Sequence, residues 1–533
     1  MSAVSLAREV AAVDAAAGIV LLLVPWRDGR RATMSRAFGL ALIVVAWIAC
    51  AVSLVPRDDV EAAFNRLGSP AWAVGVAAGV VVGLGVAAFL VRVILSRPWL
   101  WFALLGLALP WRIPVPIGGE SRNLLLPLYA LLLIGLAAWI VGRLRGRLGA
   151  RGEASTPLDL PIGAFVAFSL VSILWTSDGR EGAVKAVFFL IPFVLLYRLV
   201  VAWWRQAPGG RVLAATAIGL AVPVAVLAVV QYAAKWIFWN DRLDQANAYG
   251  RFFRVNGIFF DPNILGRFLM VAILAGAATG MIARRSPTVL VALAGCGVCA
   301  AGVVVTFSRS TALGLIVALA ILAVRAFGWK RTTVVGGALA IVLGAGAIAA
   351  NTNVRRALTD ADRLERVSEG RFDLVKGGLE VWAEDPIAGT GLGAFANRYE
   401  EILTPEEQRR ARVVISHNAP ITVLTEVGLI GFALFLILGA ATIRALLRAA
   451  GPAPQARALM ASGTPDVAGW TALTALAMLA GIFVHSLLYS ALFEDPYTWV
   501  IAAAGVAVLG SRAAEAPPLA PEVVPPVPVQ SPA

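Results

Sequence analysis

The sequence predicts an all-α fold, a polytopic transmembrane helical bundle of about 12 to 15 spans with a large, partly helical outer loop. Of its 533 residues, 59% are hydrophobic and 14% are charged, which is far more apolar than a soluble domain. The apolar residues fall into blocks of about 17 to 25, the length that a helix needs to cross a bilayer. The alternation of a transmembrane barrel is absent, so the spans are helices.

We predict about fifteen spanning blocks, of which the first and the fourth are short. They lie near residues 10–25, 36–55, 71–95, 98–114, 123–141, 158–175, 182–203, 211–233, 263–283, 287–305, 310–328, 332–350, 419–443, 466–490 and 497–510. Arginines collect in every second connection, for example 142–152 and 203–211, which predicts that those connections face the cytoplasm. The two longest polar segments, 234–262 and 351–417, then lie on the outer face.

This topology divides the chain into parts with different expected roles. The tail is rich in proline and has too few other apolar residues to fold. We expect N-terminal transmembrane helices of unassigned role over 1–210, transmembrane helices with the outer loop 234–262 over 211–350, a large extracytoplasmic loop with the candidate catalytic residue over 351–417, C-terminal transmembrane helices over 418–511, and a disordered cytoplasmic tail over 512–533.

The charge and cysteine content exclude several function classes. The net charge of +13 would suggest nucleic-acid binding in a soluble protein. Here the excess positive charge lies in short cytoplasmic connections, so we expect no nucleic-acid partner. The three cysteines lie within apolar blocks and indicate no disulfide framework. No cluster of cysteine, histidine and carboxylate residues has metal-ligand spacing, so we expect neither a metal nor a cofactor.

One of only two histidines, His417, ends the long outer segment. Asn418 fits an N-cap and Pro420 lies near the first turn, so a spanning helix begins directly after the histidine. This position fixes the imidazole at the outer membrane boundary, where a neutral histidine could act as a general base toward a hydroxyl. The alternative is a capping or interfacial histidine without a chemical role.

Three arginines favour the chemical interpretation of His417. Arg254, Arg309 and Arg371 fall at the outer boundary or in the outer segments, against the usual arginine bias. Guanidinium groups near the membrane surface suit a phosphate or pyrophosphate beside a lipid tail. Each arginine alone could instead anchor a lipid headgroup or form a salt bridge. Together with His417 they predict an anion site beside a base, and their charge would hold the imidazole neutral.

Two further ionisable residues lie inside apolar blocks. Glu426 must find a partner at its depth; it either orients a site residue from below or bridges helices, and bridging is the preferred interpretation. His485 is expected to hydrogen-bond between helices rather than to bind a ligand. The run G-T-G-L-G-A at 389–394 imitates a nucleotide-binding fingerprint, but no strand precedes it, so a turn is the better interpretation.

Four stretches carry a resemblance to a known family. They are "RVNGIFFDPNILGRFL" (254–269), "TFSRSTALGL" (306–315), "GRFDLVKGGLEVWAEDPIAGTGLGAFANRY" (370–399) and "SHNAPITVLTEVGLIG" (416–431). With these stretches in this order, the chain resembles the O-antigen ligase and polysaccharide polymerase superfamily of bacterial membrane glycosyltransferases. The last stretch is the most specific, because it places His-Asn before E-x-G at the end of a large outer loop. The apolar blocks before residue 211 are not covered by the resemblance.

The resemblance implies a membrane glycosyltransferase that needs no metal. It would move glycan from an undecaprenyl-pyrophosphate carrier to a glycan, lipid or protein hydroxyl at the outer face of the bacterial cytoplasmic membrane. O-antigen ligase and surface polysaccharide polymerase both remain open. By the resemblance, His417 activates the acceptor, while Arg309 and Arg371 hold the pyrophosphate. Arg254, Asn418 and Glu426 complete the candidate site.

The rival interpretation is a transporter of lipid-linked glycan or polysaccharide. Transporters tend to carry ionisable residues and broken helices near the bilayer midplane. In this sequence the polar residues gather at the predicted outer face, with Glu426 and His485 as the main exceptions. The distribution therefore favours the enzyme.

Overall fold

The computed structural model of the protein describes a helical bundle. It describes residues 3–25, 30–56, 58, 61–62, 65–66, 68–117, 120–146, 155–238, 240–249, 252–283, 286–334, 336–337, 371–405, 417–451, 466–489 and 491–515. The helices are α1 (Ala3–Leu23), α2 (Arg30–Ser53), α3 (Pro70–Ser96), α4 (Trp99–Ala108), α5 (Leu126–Leu144), α6 (Asp159–Val171), α7 (Gly179–Lys185), α8 (Ile191–Trp204), α9 (Gly210–Ala234), α10 (Asp241–Tyr249), α11 (Pro262–Ile282), α12 (Ser286–Thr306), α13 (Arg309–Phe327), α14 (Arg371–Glu384), α15 (Phe395–Ile402), α16 (Ala419–Ala450), α17 (Val467–Ser486) and α18 (Pro496–Glu515).

The described part of the chain confirms the predicted all-α polytopic bundle. Ten of its helices are long and apolar enough to cross a membrane. Three shorter apolar stretches accompany them, at Trp99–Ala108, Asp159–Trp175 and Pro496–Leu509. The predicted span at 332–350 lies mostly outside the described residues, as does the proline-rich tail. The described residues thus hold ten candidate spans and three shorter apolar stretches, compared with the 12 to 15 spans that the sequence predicts.

A short hairpin between α4 and α5 was not predicted. β1 (Ile113–Ile117) pairs antiparallel with β2 (Glu120–Leu124), with Ile113 opposite Leu124. The predicted span at 98–114 is therefore wrong in its second half, because α4 already ends at Ala108. Prolines at 110, 114 and 116 lack the amide hydrogen that a continued helix needs, and the branched residues between them favour extended backbone.

The most buried of the ten candidate spans in the described residues belongs to the N-terminal part of the chain. The most apolar stretch within Gly179–Trp204 is 83% buried, whereas that within Pro70–Ser96 is not buried at all. Helix α8 packs on α18, and α6 packs on α16. The N-terminal helices thus form part of one core with the region that carries the family motifs, which the sequence did not indicate.

Helix α16 is broken at Gly428, whose φ of 60° and ψ of −165° are not helical. Residues 386–394, which we call the glycine loop, lie against this break. The Gly391 amide donates to the Glu426 carbonyl at 2.8 Å, and three further backbone bonds join the loop to the two sides of the break. The backbone groups that the break frees are thus satisfied within the protein, as membrane depth requires.

The glycine loop also rests on the turn that follows α6. This turn is the 3-10 helix Ser172–Trp175. Trp175 Nε1 donates to the Gly389 carbonyl at 3.1 Å, and Thr176 Oγ1 donates to the Leu392 carbonyl at 2.9 Å. The glycine loop therefore lies between α6 and α16 and bonds to both sides. Its backbone conformation is a turn, as the sequence predicts.

Glu426 lies just before the break and pairs with Lys185 of α7. Lys185 Nζ lies 2.6 Å from Glu426 Oε1 and 2.8 Å from Glu426 Oε2, so it donates to both oxygens. The Glu426 side chain is 5% exposed and that of Lys185 is 17% exposed. Glu426 therefore bridges two helices, which was the preferred interpretation of its position.

We expect Gly389→Ala to destabilise the protein. Gly389 has a φ of 76°, and a Cβ there would collide with the backbone of Gly428 and Glu426. The loss should exceed about 1 kcal/mol, measured as a lower thermal unfolding midpoint in detergent. Gly79→Ala is the control, because a Cβ at Gly79 in α3 meets nothing within 4 Å. We expect its midpoint to be unchanged or slightly higher. An unchanged midpoint for Gly389→Ala would contradict the docking of the glycine loop.

We expect Lys185→Met to lower the stability by about 3 kcal/mol, because it leaves the Glu426 carboxylate buried without its partner. The double variant Lys185→Met with Glu426→Leu removes both charges and should recover most of the loss. The same thermal unfolding measurement compares the two variants. A double variant no more stable than Lys185→Met would show that the destabilisation does not come from an unpaired charge.

Candidate functional site

Four of the predicted site residues lie at one end of the bundle, which we call the predicted outer end: Arg254, Arg309, His417 and Asn418. Among the described residues, those other than glycine with positive φ all lie in turns at this end. They are Lys235, Phe307, His417 and Ala491. Such a conformation costs about 1 to 3 kcal/mol per residue and clusters at functional sites. The left-handed residues other than glycine in the described part of the chain thus lie where the sequence predicts the chemistry.

His417 has a φ of 51° and directly precedes α16. Asn418 is the N-cap, as predicted: its Oδ1 accepts a hydrogen bond from the Ile421 amide at 3.1 Å. Its Nδ2 donates to the Leu487 carbonyl at 3.2 Å, which ties the start of α16 to the turn after α17. The half-buried imidazole of His417 lies near Tyr489, with 6.5 Å between the ring centroids.

Arg309 and Arg254 both lie at the turn between α12 and α13. Arg309 is exposed and is the first residue of α13, whose N-cap is Ser308. Arg254 is half-buried; its Nε donates to the Thr306 carbonyl at 3.0 Å, and its Nη2 lies 3.3 Å from Asn263 Oδ1. The structure therefore brings two of the three predicted arginines to one turn at the predicted outer end.

The third arginine, Arg371, is the first residue of α14, and its side chain lies outside the described part of the structure. Helices α14 and α15 belong to the described part of the large outer loop, residues 371–405. Val381, Phe395 and Tyr399 form a small hydrophobic cluster there, against which Ile421 of α16 packs. The loop is thus partly helical, as predicted, and its core adjoins the helix that follows His417.

A second group of polar residues near His417 was not predicted as part of the site. Arg267 of α11 is buried; its Nη1 donates to Asp495 Oδ2 and to the Ala491 carbonyl, both at 2.6 Å. Its Nη2 donates to His485 Nδ1 at 2.8 Å. His485 thus hydrogen-bonds between helices, as expected. A signal was present in the sequence, because an arginine inside an apolar block must find a partner.

Tyr489 connects this group to His417. Its ring centroid lies 5.5 Å from that of His485 and 6.5 Å from that of His417. The guanidinium carbon of Arg267 lies 5.6 Å from the same ring centroid. Burial raises the pKa of the Tyr489 phenol, so this residue is uncharged at neutral pH. Both histidines of the chain therefore adjoin one neutral tyrosine.

The first turns of α11 join the arginine turn to this second group. Asp261 caps α11 by accepting from the Asn263 amide at 2.6 Å. Asn263 Oδ1 accepts from Ser308 Oγ at 2.7 Å and also lies beside Arg254. One turn further along the helix is Arg267. Two groups of polar residues thus share the start of one helix.

The electrostatics of this end favour an anion. Three spanning helices, α11, α13 and α16, begin here with capping side chains, and helix N-termini carry partial positive charge. Arg254 and Arg309 add full charges beside the first two of these termini. No group of three potential metal ligands occurs in the parts of the chain that the structure describes. The arrangement places the His417 imidazole at the same end of the bundle as Arg254, Arg309 and three helix N-termini.

A family model described as O-antigen ligase matches residues 294–436. The matched region contains the predicted site residues Arg309, Arg371, His417, Asn418 and Glu426. Arg254 lies before it, and Arg267, His485, Tyr489 and Asp495 also lie outside it. A comparison with curated proteins gives no match. The match confirms the resemblance that the four motifs predicted: residues 294–436 of this chain are similar to the O-antigen ligase family.

Proposed function

We propose that the protein transfers glycan from an undecaprenyl-pyrophosphate carrier to an acceptor hydroxyl at the outer face of the bacterial cytoplasmic membrane. The family match supports a lipid-linked donor and a separate acceptor. The observation that carries the proposal is the position of His417. This histidine has strained backbone directly before a capped helix, at the bundle end where Arg254 and Arg309 also lie.

In this mechanism His417 accepts the proton of the acceptor hydroxyl while the hydroxyl oxygen attacks the anomeric carbon of the donor sugar. A positioned general base of this kind contributes about a hundredfold to ten-thousandfold in rate. The bond from the anomeric carbon to the pyrophosphate oxygen breaks, and undecaprenyl pyrophosphate leaves with the electron pair. A single displacement inverts the configuration at the anomeric carbon.

Arg309 and Arg371 bind the pyrophosphate in this proposal and stabilise the charge that develops as it leaves. Arg254 contributes from the neighbouring position, although its guanidinium also bonds the Thr306 carbonyl and Asn263. The partial charges at the starts of α11, α13 and α16 act in the same direction. The reaction thus uses fixed positive charge and one base.

A transporter of lipid-linked glycan is the second candidate, because α16 is broken at Gly428 beside ionisable residues, a feature of transporters. Here, however, Lys185 and Glu426 bind each other at 2.6 Å. The backbone at the break is likewise bonded to the glycine loop. These contacts describe a structural joint between helices, which supports the enzyme over the transporter.

We expect His417→Ala to lower glycan transfer by at least about a hundredfold, because the acceptor hydroxyl loses its base. The assay incubates purified protein in lipid with labelled undecaprenyl-pyrophosphate oligosaccharide and separates the products by size. A ladder of longer glycans indicates a polymerase, and transfer only after candidate acceptors are added indicates a ligase. Membrane insertion and the thermal midpoint of the variant should match wild type.

Full activity of His417→Ala would contradict this mechanism. Movement of the labelled glycan across sealed vesicles without a new glycosidic bond would instead support the transporter. Both outcomes are measured with the same labelled donor, so one protein preparation distinguishes the glycosyltransferase from the transporter.

We expect Arg309→Glu to weaken binding of undecaprenyl pyrophosphate by about tenfold to a hundredfold, the worth of a charged hydrogen bond. Equilibrium binding to protein in lipid nanodiscs measures this effect. Arg331→Glu is the matched control, because Arg331 is exposed just beyond the opposite end of α13 and has the same charge change. Its affinity should equal that of wild type. Unchanged affinity in both Arg309→Glu and Arg371→Glu would exclude these residues from the donor site.

A further inference from the structure

The turn between α17 and α18, which the structure describes at residues 487–489 and 491–495, is held at three points by side chains from other parts of the chain. Asn418 donates to the carbonyl of its first residue at 3.2 Å. Arg267 donates to the carbonyl of Ala491 and to the carboxylate of Asp495, both at 2.6 Å. The described residues of the turn are thus tied at Leu487, Ala491 and Asp495, and Tyr489 lies between the first two of these points.

Arg267 is a rigid anchor for this turn. It is 3% exposed, and its partner Asp495 is 2% exposed. Buried charge-assisted hydrogen bonds at low dielectric are strong and cannot exchange readily with water. Ala491 has a φ of 81°, and the bond from Arg267 to its carbonyl supports this strained conformation.

Tyr489 is the side chain that the anchored turn places beside both histidines. It meets the His485 ring edge-on, with an interplanar angle of 71°, and lies over the Arg267 guanidinium. It also adjoins the His417 ring at an interplanar angle of 49°. These separations are those of aromatic pairs in contact.

His417 needs such a neighbour for its orientation. Its left-handed backbone sets the direction of the bond from Cα to Cβ, and the contacts of the side chain then decide the rotation of the imidazole. A base must lie within hydrogen-bond reach of the proton that it abstracts, so this rotation decides whether the imidazole can act.

We propose that Tyr489 is a positioning residue that holds the His417 imidazole at the outer end of α16, and that Arg267 fixes Tyr489 in turn. This inference rests on the proposed role of His417 as acceptor base. The ring supplies the contact in this proposal, because the observed geometry is that of ring packing. The positioning chain thus runs from the core at Arg267 to the acceptor base.

The kinetic test compares Tyr489→Leu with Tyr489→Phe in the glycan transfer assay. Leucine removes the ring, so kcat should fall by about a hundredfold, the effect of a misplaced catalytic group. The KM for the lipid-linked donor should stay within about twofold, because the arginines are unchanged. Phenylalanine retains the ring and should restore nearly full kcat. Wild-type kcat in Tyr489→Leu, or equal impairment in both variants, would overturn the proposal.

A spectroscopic test needs no glycan transfer. Because the chain has two histidines, protein with isotope-labelled histidine gives two imidazole signals, which His417→Ala assigns. Tyr489→Leu should move and broaden the His417 signal, and Tyr489→Phe should leave it near its wild-type position. The thermal midpoint of each variant shows that it is folded. A His417 signal that is identical in wild type and Tyr489→Leu would overturn the proposal.

Together the tests separate two failures. Loss of transfer in His417→Ala but not in Tyr489→Leu removes the positioning role and keeps the proposed function. Full transfer in His417→Ala removes the proposed function, and the catalytic meaning of the Tyr489 contact is lost with it. In that case the histidine signals still report whether the two rings pack together.

Discussion

Every polar backbone group that is buried at membrane depth must find its partner inside the protein, because hydrocarbon offers none. The break in α16 at Gly428 meets this constraint through the glycine loop, whose backbone bonds to both sides of the break. The loop in turn is held by Trp175 and Thr176 from the N-terminal part of the chain. The need to pair the free backbone groups of one broken helix thus connects three segments that are distant in the sequence.

Buried charged side chains must likewise find partners inside the protein, and their ion pairs connect further helices of the bundle. The pair Lys185 with Glu426 lies beside the break, and the pair Arg267 with Asp495 lies near His417. Each cation bridges two elements that are far apart in the sequence. An unpaired charge at such depth is costly, so each pair defines where its helices can sit relative to each other. These pairs specify the packing more than they stabilise it.

The predicted outer end of the bundle contains both capped helix starts and residues with strained backbone. Three spanning helices begin there with capping residues, and the described residues with positive φ other than glycine lie in the turns between spans. The proposed transfer needs a place where a lipid-linked donor and a polar acceptor meet. Helix ends at the membrane edge provide such a place, because the packed helices hold the charged groups and the imidazole in fixed positions there. The helices below supply the rigidity.

The sequence by itself determined the properties that depend on neighbouring residues. Apolar blocks of spanning length indicate the all-α bundle, and Asn418 before Pro420 indicates the helix that starts after His417. The ordered motifs predicted a resemblance to O-antigen ligases, and the match over 294–436 confirms that resemblance. The depth of Glu426 in an apolar block also indicated that it needs a partner.

Only the tertiary structure decided which distant residues meet. Lys185 and Glu426 are 241 positions apart, and Arg267 and Asp495 are 228 apart. Hydropathy and capping patterns are local, so they show that a charge must be paired but not which residue pairs with it. The placement of Tyr489 between the two histidines depends on the packing of α11, α16 and α17 at one end of the bundle. That packing is a property of the whole core, and no short stretch of sequence encodes it.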